Sequence, residues 1–268
     1  MSGGNTKALR VRIKSVTSTL QLTKAMGLVA SSKIRRANDS MMKAREYTVA
    51  LEKSISALTS VPDCQKSPYM QVRDTGRTKI IVIAGDRGLA GGYNNNVFRL
   101  CRDYSDAEII PIGKRTCERF GKPVVSSEHY SFKEAAALAD ELCTQFKNGE
   151  FDRLGVIYTV YHSVMSSEAV IKWLLPFEKT ENGNNAGTIF EPDHLTVLNL
   201  TVREYVAGIL TACARESFAC EVAARRMAMD SAGKNAKQMI DDLSLEYNRA
   251  RQGAITQEIT EIVAGSGN

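Results

Sequence analysis

The sequence of 268 residues predicts an α/β domain combined with a long antiparallel coiled coil, in which the N- and C-terminal helices form a rod. All six prolines lie between Pro62 and Pro192, so both ends of the chain lack the residue that interrupts helices. Both ends carry apolar residues at helical spacing, whereas the middle contains short continuous apolar runs typical of buried strands. We therefore expect an N-terminal helix over 1–61, a central Rossmann-like α/β domain over 62–200 and a C-terminal helix over 201–268.

The N-terminal helix carries a narrow apolar seam. Alternating steps of four and three residues from Leu9 reach fifteen positions, of which twelve are apolar. They are Leu9, Ile13, Val16, Leu20, Thr23, Gly27, Ala30, Ile34, Ala37, Met41, Ala44, Thr48, Leu51, Ile55 and Leu58. This spacing is typical of a left-handed coiled coil, which needs a partner helix. A helix of roughly 55 to 60 residues would be about 80 to 90 Å long.

The C-terminal helix supplies that partner. Six of eight positions at the same spacing are apolar or cysteine: the path runs through Val206, Leu210, Cys213, Ser217, Cys220, Ala224, Met227 and Ser231. Small residues on such a seam allow two helices to approach closely. Later apolar residues extend the helical pattern through Ala232, Ala236, Met239, Leu243, Ala250 and Ile255.

The middle of the chain predicts a mostly parallel sheet. Continuous apolar runs predict strands over 79–84, 107–112, 155–161 and 169–175, because strands buried on both faces do not alternate with polar residues. Intervening segments over 96–104 and 132–147 predict helices, and 182–187 reads as a turn-rich loop.

Composition and charge narrow the function classes. The sequence is 43% hydrophobic and 24% charged, which is ordinary for a folded domain, and no apolar run approaches the ~18 residues of a membrane span. Six cysteines without paired spacing predict free thiols. Residues 1–60 hold eleven basic and three acidic side chains, with the densest cluster at Lys33, Arg35 and Arg36. Such an excess suits nucleic acid, anionic lipid, an acidic protein surface or a solvated helix face.

Two alternatives follow from these residues. A small nucleotide-binding α/β enzyme could use the glycines of 85–92, which follow a predicted strand and precede a predicted helix. Their spacing matches neither common phosphate-binding motif, and Asp86 would repel a phosphate. A basic coiled-coil nucleic-acid-binding protein would need a base-reading element, yet residues 1–46 contain no aromatic side chain. Three isolated histidines show no metal-ligand spacing, so neither a metal nor a cofactor is predicted.

Three segments resemble one known family. The stretches Thr23–Lys33, Gly85–Asn94 and Tyr247–Val263 are similar to those of the gamma subunit of F-type ATP synthase, and the resemblance spans the chain. It implies a rotor without a catalytic site, which stands inside a ring of three alpha and three beta subunits and turns with a membrane ring of c subunits. It also implies contact with the epsilon subunit, membrane contact only through the c-ring, and no nucleic acid. The expected location is the cytoplasmic face of a bacterial plasma membrane rather than the matrix side of the mitochondrial inner membrane.

The resemblance also assigns partner-contact residues. Met26, with the basic residues Lys33, Arg35 and Arg36, is expected to face the acidic lever loop of the beta subunits. The catch loops of the ring are expected to meet a second set, made up of Arg251, Gln252, Thr256 and Glu258. Tyr205 is expected near the ring-facing foot, with a core position as its alternative. Three residues depart from the family pattern, namely Gly27, Ala90 and Arg226.

Overall fold

The computed structural model describes residues 2–73, 75–180 and 190–265, with side chains from Asn5 onward, so the loop expected at 182–187 lies outside the described residues. The helices are α1 (Ser2–Thr59), α2 (Tyr93–Cys101), α3 (Lys114–Phe120), α4 (Phe132–Lys147) and α5 (His194–Gly265). The strands are β1 (Thr78–Ile83), β2 (Glu108–Ile112), β3 (Arg153–Ser163) and β4 (Ser166–Leu175). Short 3₁₀ turns occupy Pro62–Lys66, Pro68–Met70 and Arg102–Tyr104. The chain divides into a helical unit, up to Ser31 and from Arg225 onward, and a larger unit, Ser32–Ala224.

The sheet lies in the larger unit and has the strand order β2-β1-β3-β4. Strand β1 pairs in parallel with β2 and β3, placing Ile81 opposite Ile110 and Val156. Strand β4 is antiparallel to β3. The prediction of a mostly parallel sheet is therefore confirmed.

Both faces of the sheet are covered, which explains the continuous apolar runs. Ile81 and Ile83 belong to a large core cluster that also contains residues of α1, α4 and α5. Ile80 and Val82 point to the opposite face, where Val97 of α2 packs. Successive residues of one strand thus fill two different cores.

All six cysteines are buried free thiols, as the sequence predicts. Burial raises the pKa of Cys101 to about 11 and those of Cys143 and Cys220 to about 12. These groups therefore remain protonated and unreactive near neutral pH.

The N-terminal seam is confirmed, because none of its fifteen positions is exposed. In the helical unit, a Cβ built on Gly27 would lie 3.6 Å from Met229 Cβ, and one on Gly233 would lie 3.6 Å from Thr23 Oγ1. In the larger unit, Arg215 donates to Ser40 Oγ over 3.3 Å. A Cβ on Gly208 of the larger unit would meet Leu51. In each unit, higher residue numbers in α1 therefore face lower residue numbers in α5, so the two helices run antiparallel there.

The C-terminal seam is confirmed in part. Val206, Leu210, Cys213, Ser217 and Cys220 are buried in the larger unit. In the helical unit, however, Met227 and Ser231 are exposed, and the buried positions are Met229, Ala236 and Leu243. Small residues occur on several faces of this part of α5, so apolar spacing alone could not determine which face packs.

Within the described residues, α5 alone is long and apolar enough by composition to cross a membrane, with a window of mean hydropathy 1.2. The fold buries 61% of that window. A core helix passes the same test, and residues such as Leu198 and Val202 are fully buried in the large core cluster. Its apolar character is therefore explained by packing inside the protein.

Candidate partner-binding surface

The glycine-containing loop after β1 is organised around the carboxylate of Asp86. Its oxygens accept hydrogen bonds from the backbone N–H groups of Lys114 (3.0 Å), Ser127 (2.9 Å) and Glu128 (3.3 Å), and from the Ser126 hydroxyl (2.5 Å). Burial raises the pKa of Asp86, but these hydrogen bonds outweigh it, so the net pKa is lowered. The charged carboxylate is the stable form at this edge of the sheet.

This arrangement argues against a phosphate site. Nucleotide-binding α/β domains place a phosphate on free backbone N–H groups at the carboxyl ends of the strands. Here the backbone N–H groups of Lys114, Ser127 and Glu128 already donate hydrogen bonds to the Asp86 carboxylate. Within the described ranges, no three His, Cys, Asp or Glu side chains are grouped so as to hold a metal ion.

The basic cluster on α1 divides into two kinds of residue. Lys33 Nζ lies 2.5 Å from Glu128 Oε1 in an intrachain ion pair. Burial raises the pKa of Glu128, but the hydrogen bond and charge of Lys33 and the charge of Arg87 outweigh it and lower that pKa. Arg35 and Arg36 are exposed. Two of the three predicted cations therefore face solvent, while Lys33 holds the helix against the α/β domain.

Met26 lies in the helical unit and precedes Gly27, which lines a groove between α1 and α5. Its side chain is half-buried, while the neighbouring Ala25 is exposed. The groove has a volume of about 520 Å³ and is lined by Leu20, Thr23, Lys24, Gly27, Leu28, Arg226, Met229, Asp230, Gly233, Lys234 and Lys237. Lys234 pairs with Asp230 over 3.0 Å, so the groove combines an apolar floor with a net positive rim. Such a surface suits an acidic partner segment.

The predicted C-terminal contact residues share one environment. Arg251, Gln252, Thr256 and Glu258 are all exposed on the last turns of α5. Thr256 Oγ1 donates to the backbone oxygen of Gln252 over 3.0 Å, one helical turn earlier. The structure brings these four residues together on one helical segment.

The same segment carries an exposed apolar stripe that was not predicted from the sequence. Ile255 is 48% exposed, Ile259 56% and Ile262 69%. Their spacing of four and then three residues puts them on one face of the helix. The signal was present in the sequence, but it was read there as a continuation of the intrachain seam.

Of the two positions expected for Tyr205, the structure supports the core position. Its side chain is buried, and its ring packs edge-on against Phe177 with centroids 5.3 Å apart. Burial raises the pKa of its phenol. Tyr205 is a core residue because α5 presents this face to the large core cluster.

Comparison with known proteins shows which family the chain belongs to. The family model described as ATP synthase matches residues 5–267. The ATP synthase gamma chain of Ruminococcus albus is 39% identical, and 98% of each chain is covered; that of Staphylococcus epidermidis is 35% identical over 97% of each. The chain belongs to the ATP synthase gamma chain family. A solved Euglena gracilis mitochondrial ATP synthase, described as OSCP/F1/c-ring in rotational state 3, contains a chain with TM-score 0.70 and 19% identity, covering 98% of this chain and 94% of that one.

Two of the three residues that the resemblance singled out as departures lie on the groove. Gly27 and Arg226 both line it, so one opens space and the other adds a cation to the rim. The third departure, Ala90, is buried beside Tyr93 and Cys220.

Proposed function

We propose that this chain is the gamma subunit of an F-type ATP synthase and works as its rotor, or central stalk, with no catalytic site of its own. The observation that carries the proposal is the family match along nearly the whole chain, including the exposed C-terminal segment of α5. A core helix normally buries its isoleucines, whereas Ile255, Ile259 and Ile262 are exposed here. An exposed apolar stripe of this kind indicates a protein partner.

The partners that we propose are three alpha and three beta subunits around one copy of this chain, an epsilon subunit, and a c-ring. Met26, Arg35 and Arg36 would face the acidic lever loops of the beta subunits, with Lys33 supporting this part of α1. Arg251, Gln252, Thr256 and Glu258 would contact the catch loops. We retain 1–61, 62–200 and 201–268 as the functional segments, and we propose neither cofactor nor nucleic acid.

In this mechanism the chain transmits force rather than performing chemistry. One asymmetric rotor presents a different surface to each of three beta subunits, so their nucleotide sites occupy different conformations in turn. Each ion-driven step of the c-ring would turn the rotor and exchange these conformations, which couples ion flow to ATP synthesis or hydrolysis. Exposed cations suit this task, because a solvated electrostatic contact with the acidic loop of one beta subunit is easily broken and formed again with the next.

We propose a peripheral location on the cytoplasmic face of a bacterial plasma membrane. Both curated relatives compared above are bacterial. Contact with the membrane would be indirect, through the c-ring.

Co-purification tests the proposal. The chain is expressed with its alpha, beta and epsilon subunits, isolated through an affinity tag at moderate salt, and analysed for subunit ratio and ATPase activity. We expect one copy with three alpha and three beta subunits and active ATP hydrolysis. Recovery of the chain alone, or with nucleotide bound to its central domain, would overturn the rotor assignment.

A further inference from the structure

Strand β3 extends beyond its parallel neighbour and leaves part of one edge uncovered. The last residue pair between β1 and β3 joins Val82 to Ile157, whereas β3 continues to Ser163 with β4 on its other side. An open strand edge presents backbone groups that need other hydrogen-bonding partners.

Side chains of the long helices supply those partners. Thr159 N donates to Ser217 Oγ over 3.1 Å, and Tyr161 N donates to Glu216 Oε1 over 2.9 Å. Arg45 Nη2 donates to the backbone oxygen of Tyr161 over 2.7 Å. Helices α1 and α5 therefore take the place of a neighbouring strand along this edge.

A charge pair joins the two helices at the same point. Arg45 Nη2 also donates to Glu216 Oε1 over 2.5 Å, so one guanidinium group bridges α1, α5 and β3. Glu216 is 8% exposed and Ser217 is fully buried. Tyr93 of α2 donates its hydroxyl to the backbone oxygen of Ser217 over 2.9 Å. The Arg45 side chain is 39% exposed and that of Glu216 is 10% exposed. Charge-assisted hydrogen bonds are among the stronger polar contacts in proteins.

Two further ion pairs attach α1 to the α/β domain. Lys33 pairs with Glu128 near the start of α4, and Glu52 pairs with Lys172 of β4. Only the Arg45 contact also includes α5. Among these three ion pairs it alone adds a polar link between both helices and the sheet, beside the apolar contacts of the large core cluster.

We infer that Arg45 and Glu216 form a clamp that fastens the α/β domain to both long helices and carries torque between them. This inference rests on the proposed rotor function. Arg45 and Glu216 are positioning residues, since they act by fixing β3 rather than by contacting a partner or nucleotide. Loss of the clamp should let the α/β domain move more freely relative to the two helices within the larger unit. The partner-binding surfaces should stay intact.

The test compares the double variant Arg45→Met with Glu216→Gln against the matched control Arg115→Met with Glu118→Gln. The control removes an exposed ion pair of 2.8 Å that lies within α3 and joins nothing to the long helices. Glutamine at 216 keeps an acceptor for Tyr161 N. A single reactive thiol introduced by Lys147→Cys carries a rotation reporter on α4, because all six native cysteines are buried.

Reporter fluctuations are recorded on complexes whose alpha–beta ring is fixed to a surface without nucleotide. Removing one of three equal ion pairs would raise the mean-square angular fluctuation about 1.5-fold if they carried the whole load. Because the apolar core shares that load, the clamp variant should show an increase over the parent of up to about 1.5-fold. The control should match the parent. Unloaded ATP turnover should be unchanged in both variants.

Equal fluctuations in clamp variant and parent would overturn the inference. A parent complex that fails to rotate on ATP would instead overturn the proposed function. Should the double variant not assemble, Arg45→Lys decides the matter, because it keeps the charge but lacks the planar guanidinium that reaches Tyr161 O and Glu216 Oε1 together. An intermediate increase supports the clamp, whereas parental fluctuation contradicts it.

Discussion

At the scale of single residues, Asp86 shows how a side chain can define what a loop does. From sequence, a carboxylate inside a glycine-containing loop was expected only to repel phosphate. The structure shows a second effect, because Asp86 also accepts hydrogen bonds from three backbone N–H groups at the same edge of the sheet. The role of Asp86 in this loop is therefore structural.

Replacing Asp86 by Asn should destabilise the protein by about 1–3 kcal/mol at pH 7, because hydrogen bonds to the charged carboxylate are weakened. The folded-state pKa of Asp86 is lowered, so this stabilisation is present above the unfolded pKa of about 4 and is lost as pH falls through the folded value. Urea unfolding near pH 7 and near pH 3 should show the difference shrinking in acid. The control is the exposed Asp103→Asn; a difference independent of pH would contradict this account.

The exposed polar pair on the last part of α5 should matter only in the assembled complex. Replacing Arg251 and Gln252 together by Ala should lower ATP turnover of the complex several-fold, since each group could offer charged or amide hydrogen bonds worth about 1 kcal/mol or more. The isolated chain should unfold as the parent does, because both side chains are exposed.

The matched control for that pair replaces the exposed residues Lys147 and Glu150 by Ala on the α/β domain. Turnover and unfolding should both stay at parental values. Parental turnover in the Arg251 and Gln252 variant as well would remove those residues from the contact surface.

Met26 offers a test of the N-terminal contact. Met26→Lys should reduce the ions pumped per ATP hydrolysed, because it places a new cation beside the proposed acidic loop and strengthens an attraction that must be released at each step. Ala25→Lys adds the same charge at the neighbouring, exposed position and should have a smaller effect. Ion pumping into vesicles is measured against ATP consumption; equal coupling in both variants would argue that Met26 faces elsewhere.

At the scale of elements, sequence periodicity predicted some helices well and failed for others. The α1 seam was correct throughout, since none of its fifteen positions is exposed. In α5 the face was correct as far as Cys220 and wrong at Met227, since alanine and serine occur around the whole helix. Helix α3 was missed because its seven residues are mostly polar and too few to display a period.

Two glycines inside the long helices should respond oppositely to alanine. At Gly27 a Cβ would make an ordinary contact of 3.6 Å with Met229, so Gly27→Ala should stabilise the helical unit by about 0.5–1 kcal/mol. At Gly208 a Cβ would come within 2.4 Å of Leu51 Cδ1 and 2.9 Å of Tyr47 Cε1. Gly208→Ala should therefore destabilise the protein, because both side chains must move. Thermal unfolding followed by circular dichroism compares the two; destabilisation by Gly27→Ala would contradict the open contact.

At the scale of the whole molecule, the proline distribution predicted the order of helix, α/β domain and helix. It could not predict that residues 1–31 and 225–265 form a unit separate from 32–224. That division depends on which parts of α1 and α5 also pack on the sheet, and such contacts leave no period in the sequence. The candidate contact residues were found through family resemblance, whereas the clamp at Arg45 and Glu216 required three-dimensional contacts.

Burial differs so strongly along α5 that its backbone should open at very different rates. Residues 198–222 contribute many fully buried side chains to the larger unit, whereas 251–265 are almost entirely exposed. Amide hydrogen exchange of the isolated chain should therefore be slow over 198–222 and fast over 251–265, since protection follows local packing. In the assembled complex, the alpha–beta ring should cover the isoleucine stripe and slow exchange over 251–265, while 198–222 changes little. Fast exchange of 251–265 in a purified, ATP-hydrolysing complex would show that this segment makes no lasting contact, and the force would then have to pass through the proposed contact surface of α1 around Met26, Arg35 and Arg36.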